Sequence, residues 1–472
     1  MFVSRSYKVW SVPLVAGVLA LGGVPALAGS AGAATASPVR DDFNGDGYKD
    51  LAVAAPIATV GGKKGAGYVA VLYGGPHGLT KDRRTVISRS TSGIPGGPAA
   101  GENFGIQLST GDLDGDGRTD LIIGQASATR NAVVVWGGKS GLSGGVSVPA
   151  AATQAGDFDG DGRQDLVLFR GGRSQVDDPI GTRATVWRGP LSRTGKPAGT
   201  KAFGATDLQY DDVLYSAAGD VNGDGRDDLA LTDYVGEGAS TSRFYLATSS
   251  GPSGDAFTRY EAPEGDGQVA FGDINHDGYD DVVRGATNYS TVTVALGSAS
   301  GLKPKSTWRS YSQNTAGVPG GKETEDLFGA AVAAGDINGD GYDDVAVGAP
   351  GEELGYDDGA GMVTVLYGGR DGLTGKGAQG FTQDTKGVPG AVEASDNFGG
   401  SVGLLDVNRN GYADLAAAAP RENMEEGAST GEGAVWSLRG RPTGIVTDAA
   451  FTFGPRTVGA PVAHAWFGGT LS

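Results

Sequence analysis

Apolar residues in this chain come in short alternating runs broken by glycine and aspartate. Tyr68-Val-Ala-Val-Leu-Tyr-Gly-Gly-Pro-His-Gly-Leu79, Ala132-Val-Val-Val-Trp-Gly-Gly-Lys-Ser-Gly-Leu142 and Met362-Val-Thr-Val-Leu-Tyr-Gly-Gly-Arg-Asp-Gly-Leu373 carry the period of two that lays alternate side chains on opposite faces of a strand. Weaker copies lie near Val186-Trp187, Phe244-Tyr245, Val292-Val294 and Val435-Trp436. Most copies end in Gly-Gly or Gly-Ser and a Gly-Leu turn. Helical periodicity is almost missing, so the pattern predicts an all-β chain of short strands.

A second motif keeps step with the first. Asp-x-[Asp/Asn]-x-[Asp/Asn]-Gly-x-x-Asp recurs seven times, starting at Asp42, Asp112, Asp157, Asp220, Asp273, Asp336 and Asp406. Oxygen side chains at positions 1, 3, 5 and 9 make a ligand set for a hard cation, and glycine at position 6 permits the turn that points them inward. The candidate ligands are Asp42, Asn44, Asp46 and Asp50; Asp112, Asp114, Asp116 and Asp120; Asp157, Asp159, Asp161 and Asp165; and Asp220, Asn222, Asp224 and Asp228. They continue with Asp273, Asn275, Asp277 and Asp281; Asp336, Asn338, Asp340 and Asp344; and Asp406, Asn408, Asn410 and Asp414. Position 7 offers a backbone carbonyl from Tyr48, Arg118, Arg163, Arg226, Tyr279, Tyr342 and Tyr412, its side chain being free to point outward. So many protein oxygens on flexible loops favour calcium over magnesium, up to seven ions in structural sites. Affinity rises with ligand charge, so the last loop, with only two carboxylates, is expected to be the weakest.

The loops are 70, 45, 63, 53, 63 and 70 residues apart, room for about four short strands per unit. Asn-Phe-Gly at 103–105, Leu-Phe-Gly at 327–329 and Asn-Phe-Gly at 397–399 open strands that run into acidic loops. Strands after the loops end in small residues and proline: Ala54-Ala55-Pro56, Gly348-Ala349-Pro350 and Ala418-Ala419-Pro420. On these motifs the mature chain resembles the FG-GAP repeat family, the calcium-loop propellers typified by the amino-terminal domain of integrin α subunits. It is also similar to secreted bacterial FG-GAP/VCBS repeat proteins. The resemblance implies a seven-bladed β-propeller of four-stranded blades. It speaks for the fold far more than for function.

A propeller ring must close. The carboxyl end, Trp466-Phe-Gly-Gly-Thr-Leu-Ser472, resembles Phe104-Gly-Ile-Gln-Leu-Ser109, which opens the second blade, whereas the Asp42 loop has almost no strand before it. Residues 467–472 are therefore expected to supply the innermost strand of blade one. The propeller is expected to occupy residues 37–472 as a single domain.

Residues 1–36 read as a secretory signal: Arg5 and Lys8, an apolar stretch from Val12 to Leu21, and small-residue cleavage sites at Ala26-Leu-Ala28 and Ala34-Thr-Ala36. The expected product is secreted and extracellular, with no membrane span in the mature chain. It contains no cysteine, so the fold is expected to be stabilised without disulfides, with bound metal as the candidate. The formal charge of −18 becomes −20 without the signal, and 22 of the 55 acidic residues sit at loop ligand positions. Seven calcium ions would bring the balance to −6, which makes the acidity mostly a metal-binding signature. The acidic surface argues against nucleic acid or anionic membrane as a partner.

Catalytic chemistry leaves little trace. His77, His276 and His464 suggest no common site, and the Gly-x-Ser-x-Gly at Gly141–Gly145 coincides with the Gly-Leu turn. Specificity belongs in the long loops opposite the calcium loops: 57–67, 171–183, 351–361 and 421–433. Three long connections share Gly-[Ile/Val]-Pro-Gly, at 93–96, 317–320 and 387–390. In integrins the corresponding face is the ligand side, which by resemblance places binding near Tyr356, Asp357, Asp358, Arg421, Glu422 and Glu425. The reading is an extracellular binding or adhesion module for a protein or glycan. The alternative is a polysaccharide-active lyase or hydrolase on the same scaffold. The sequence does not set the oligomeric state.

Overall fold

Each acidic loop turns one strand back on the next, and each alternating run becomes the third strand of a sheet. The computed structural model describes residues 40–472 apart from 128, 172–176, 205, 250–253, 324 and 424–430, all within the unit Pro38–Ser472. Residues 1–36 therefore lie outside the described residues, as does Glu425. The described chain forms seven antiparallel sheets of four strands, the blades of a β-propeller. Blades two to seven begin at Leu108, Ala152, Asp212, Val269, Ala331 and Ser401, and each uses four consecutive strands. The weak copies of the alternating motif are also third strands, at Arg183–Arg188, Ala239–Ala247, Thr291–Ala295 and Ala434–Arg441.

Blade one is assembled from both ends of the described chain. Thr470–Leu471 pairs antiparallel with Leu51–Ala55, placing Leu471 opposite Val53 and Thr470 opposite Ala54. Gly468 N–H donates to the Ala54 carbonyl at 2.9 Å, and the Ala52 and Ser472 backbones bond each other in both directions. Thr470 Oγ1 donates to the Ile106 carbonyl of blade two at 3.2 Å, and Ser401 Oγ of blade seven donates to the Gly468 carbonyl. This two-residue strand thus touches the blade on either side.

Alternation buries both faces of a blade. Leu51 and Val53 pack with Val407, Ala416 and Val435 of blade seven, while Ala52 and Ala54 pack with Phe104, Leu121 and Val133 of blade two. Each fully buried Val or Leu contributes about 1.5–3 kcal/mol, so the core lies between blades rather than within one. The Phe-Gly motif serves that core. Phe104, Phe328, Phe398 and Phe467 are all fully buried, and the glycine after each has φ between +88° and +98°. A Cβ on Gly329 would lie 2.6 Å from the Thr291 carbonyl oxygen, so a side chain would push the blades apart.

Candidate metal centres and the loop face

The acidic loops fold on their own side chains. In the first, Asp42 Oδ1 accepts the N–H groups of Gly45 and Asp46 at 2.7 and 3.2 Å, and Oδ2 accepts Gly47 N–H at 2.7 Å. Asn44 Oδ1 accepts Asp46 N–H and Asp46 Oδ1 accepts Tyr48 N–H. The same set recurs around Asp220 and Asp336. Position 6 is glycine in all seven loops, each at φ between +80° and +88°, where a Cβ is strained.

The ninth position reaches furthest inward. Asp50 takes Phe43 N–H on Oδ2 and Gly74 N–H on Oδ1, clamping the loop to the end of the third strand. Asp120, Asp228, Asp281 and Asp344 repeat this double clamp. Burial, opposed by these bonds, pushes Asp50, Asp120 and Asp228 up to about 8 and Asp165, Asp281, Asp344 and Asp414 up to about 7. These are carboxylates in want of positive charge.

Two loops bring three carboxylates together. Carboxylate oxygens of Asp112, Asp114 and Asp116 lie within 4.8 Å of one another, as do those of Asp157, Asp159 and Asp165. Asp159 Oδ1 and Asp165 Oδ2 are buried without a hydrogen-bond donor. Such a set of converging, under-satisfied hard oxygens suits a divalent cation. The last loop differs: Asn408 Nδ2 donates to Asp414 Oδ2 at 2.6 Å, so an amide hydrogen occupies the ninth-position oxygen.

Two positions carry a duty not read from the sequence. Position 8 bonds the preceding blade: Asp157, Asp220 and Asp273 each donate their N–H to the carboxylate of Asp227, Asp280 and Asp343, at 2.8, 2.8 and 3.0 Å. Position 7 leaves its side chain free of the loop, and most of these side chains use that freedom to reach the neighbouring loop. Tyr279 lies over Gly223, Tyr412 over Gly339 and Arg226 over Gly160, while Tyr342 meets His276 edge-on at 5.7 Å. These position 7 side chains fill the gap between adjacent loops, whereas Arg163 is exposed, and Arg118 and Arg226 also turn back onto Asp116 and Asp224. The repeated doublets Asp227-Asp228, Asp280-Asp281 and Asp343-Asp344 were the available signal. Basic side chains from outer strands and turns also reach the loops: Arg193 to Asp114 and Asp116 at 2.6 and 2.9 Å, Lys303 to Asp277 at 3.3 Å.

At the opposite end, the 351–361 loop is pinned. Leu354 and Asp357 bond each other's backbone at 3.3 Å, Phe398 N–H donates to the Ala360 carbonyl, and Asn397 Nδ2 donates to Pro350 and Gly359 carbonyls. Tyr356 at its tip is 100% exposed, Asp358 is exposed and Asp357 half-buried. Arg421 and Glu422 are half-buried, Glu422 accepting from Gln383 Nε2 at 2.6 Å. A second group was missed by sequence reasoning. Ile180, Tyr210 and Val235 are exposed large apolar residues; the segments of the first two are linked where Thr182 N–H donates to the Leu208 carbonyl, and Val235 lies near the end of the strand Asp228–Gly236. An axial cavity of about 440 Å³ is lined by Gln107, Tyr215, Gln268, Asn397, Pro420 and Trp466 among others. Ser143 begins a strand, Ser143–Val148, so the Gly-x-Ser-x-Gly is no nucleophile elbow.

The FG-GAP repeat matches residues 34–72, 328–366 and 398–438, and the FG-GAP-like repeat matches 112–168 and 220–284, together just over half the chain. The chain belongs to the FG-GAP repeat family. Its propeller is integrin-α-like: integrin alpha-6 of Homo sapiens is 37% identical over 158 residues, 33% of this chain and 12% of that protein. Integrin alpha pat-2 of Caenorhabditis elegans is 31% identical over 266 residues, 49% of this chain and 20% of that protein. This FG-GAP chain therefore matches about a fifth or less of these relatives' length. Among solved structures, BBS1N in complex with ARL6DN aligns over 74% of this chain and 82% of its own, with TM-score 0.41 at 10% identity. No helix among the described residues is long and apolar enough to cross a membrane.

Proposed function

We propose that this FG-GAP propeller is a secreted, calcium-stabilised binding module that engages an extracellular protein or glycan through the loop face opposite its acidic loops. The observation that carries the reading is Tyr356: a fully exposed aromatic at the tip of a loop whose base is fixed by backbone bonds to the next blade. A pre-ordered aromatic loses little entropy on contact and makes an efficient anchor. Asp357 and Asp358 beside it, with Arg421 across the blade junction, supply polar contacts. Ile180, Tyr210 and Val235 add apolar surface further round the face. The integrin-α likeness supports the same class of role.

Calcium has a structural part in this reading. At one end, each ion would neutralise buried carboxylates and hold a loop that is bonded to its neighbour, so the blades keep the register that positions loops at the other end. The test is retention of the full chain on immobilised extracellular proteins and polysaccharides, in calcium and in chelator, with assay for released reducing ends or unsaturated sugars. Calcium-dependent retention without product supports the reading. Product release transfers the chain to the polysaccharide-active alternative, and no retention on either class contradicts both.

A further inference from the structure

Three blade junctions on the loop face share one architecture but not one charge. Each combines three pieces. A polar residue stands four positions before Gly-[Ile/Val]-Pro-Gly: Arg89, Gln313 or Gln383. An acid stands two before Phe-Gly: Glu102, Asp326 or Asp396. A residue follows the second strand of the next blade, where backbone bonds from Ala126, Gly351 and Arg421 to the carbonyls of those acids fix the register. That register aligns Ser127 with Glu352 and Glu422.

At the first junction the buried acid is neutralised by arginines of the protein itself. Glu102, whose side chain is fully buried, bonds Arg89 Nε on one oxygen, and Arg130 Nε lies 2.9 Å from the other. The other two junctions replace this with two acids and an amide. Gln313 Nε2 donates to Glu352 Oε2, and Gln383 Nε2 donates to Glu422 Oε2 at 2.6 Å. Asp326 and Asp396 are 2% exposed, Gln313 3% and Gln383 1%. Among the described residues, no Lys, Arg or His is ion-paired with these four acids within 4.0 Å. Two buried amide oxygens at these junctions lack any donor, Gln313 Oε1 and Gln383 Oε1, and the carboxyls of Asp396 and Glu422 lie within hydrogen-bonding reach of each other.

Buried carboxylates without a counter-charge are costly, and so is a buried acceptor without a partner. Paired carboxylates with an amide oxygen form a hard-oxygen set. We propose that the junctions of blades five with six and six with seven each hold one calcium ion, in the role that arginine plays at the junction of blades one and two. The ligands are Gln313, Asp326 and Glu352 at one, and Gln383, Asp396 and Glu422 at the other. Loading requires the amide to turn its oxygen inward. At the junction of blades five and six the last glycine of the motif lies against the cluster: a Cβ on Gly320 would sit 2.7 Å from Gln313 Nε2 and 3.3 Å from Glu352 Oε1. These sites lie at the end of the ring opposite the seven acidic loops and would brace the loop that carries Tyr356.

The test is the count of calcium bound per full chain, by equilibrium dialysis and metal analysis, for wild type, Glu352→Gln, Glu422→Gln and Gln383→Arg. Each variant is expected to bind one ion fewer than wild type. Gln383→Arg carries its own cation, so it should also keep its melting temperature in chelator better than Glu422→Gln. Because the readout is a difference between variants, it does not depend on how many acidic loops are filled. A folded Gln383→Arg or Glu422→Gln protein with the wild-type count would overturn the proposal, leaving these pockets to a proton or water.

Discussion

Asp227 of blade four accepts the backbone N–H of Asp157 of blade three at 2.8 Å through Oδ2, and donates its own N–H to the Asp157 carbonyl at the same distance. The residue that begins one acidic loop is thus gripped by the eighth position of the next. Replacing Asp227 by Ala removes the acceptor and leaves a part-buried N–H without its partner, at a cost of about 1–3 kcal/mol. Asp227→Asn keeps an acceptor and should cost clearly less. Thermal unfolding of wild type and the two variants checks this; an Asp227→Ala melting temperature equal to wild type would mean that the contact carries no stability.

Ring closure gives a second expectation. Phe467 is fully buried, with ring centroids 6.4 Å from Tyr68 and 6.1 Å from Phe453. Phe467→Ala should destabilise by about 3–5 kcal/mol. Deleting residues 466–472 should lower the melting temperature further, because it also removes the pairing with Leu51–Ala55. An unchanged melt after deletion would show that the ring does not depend on that strand.

Much of this molecule was legible because the repeat states its rules seven times. Alternation named the third strands, and the loop motif counted the blades. Contacts between blades were harder to read. Tyr279 over Gly223 joins residues more than fifty positions apart and depends on which loop neighbours which in space, a fact absent from a single motif. The exposed trio Ile180, Tyr210 and Val235 was hidden for another reason: Val235 lies near the end of the strand Asp228–Gly236 and Tyr210 ends a short helical turn, and neither position differs in residue type from a buried one. The junction clusters vary between copies, Arg89 against Gln313 and Gln383, so no repeat advertised them.

Acidity should affect stability through Glu352. Burial raises its pKa from 4.5 to about 7, with Gln313 opposing and Asp326 and Glu323 adding to the rise. The folded state therefore holds a proton that the unfolded state has released. Its contribution is full below about 4.5 and is lost as pH climbs through about 7. In chelator, wild type should lose stability over that interval more steeply than Glu352→Gln. Parallel pH profiles would contradict the assignment.

Binding at the loop face should depend on Tyr356 without involving the fold. Its side chain is wholly exposed, so Tyr356→Ala should leave the melting temperature within about 0.5 kcal/mol of wild type. Retention on the bound partner should fall at least tenfold if the tyrosine is an anchor. Retention equal to wild type would move the contact elsewhere, and Tyr210→Ala is the next variant to compare.

The most direct measurement is the melting temperature of the full chain as free calcium is raised from chelator, with magnesium as control. Ions that bind the folded state alone stabilise it by mass action, about 2.7 kcal/mol per site at a hundredfold excess over its dissociation constant. Seven acidic loops, two of which bring three carboxylates within 4.8 Å of one another, predict a steep rise that continues as weaker loops fill, the Asp406 loop last. Asp157→Asn should shift the curve to higher calcium. A melting temperature indifferent to calcium would contradict the account at its root, leaving the seven loops as acidic turns.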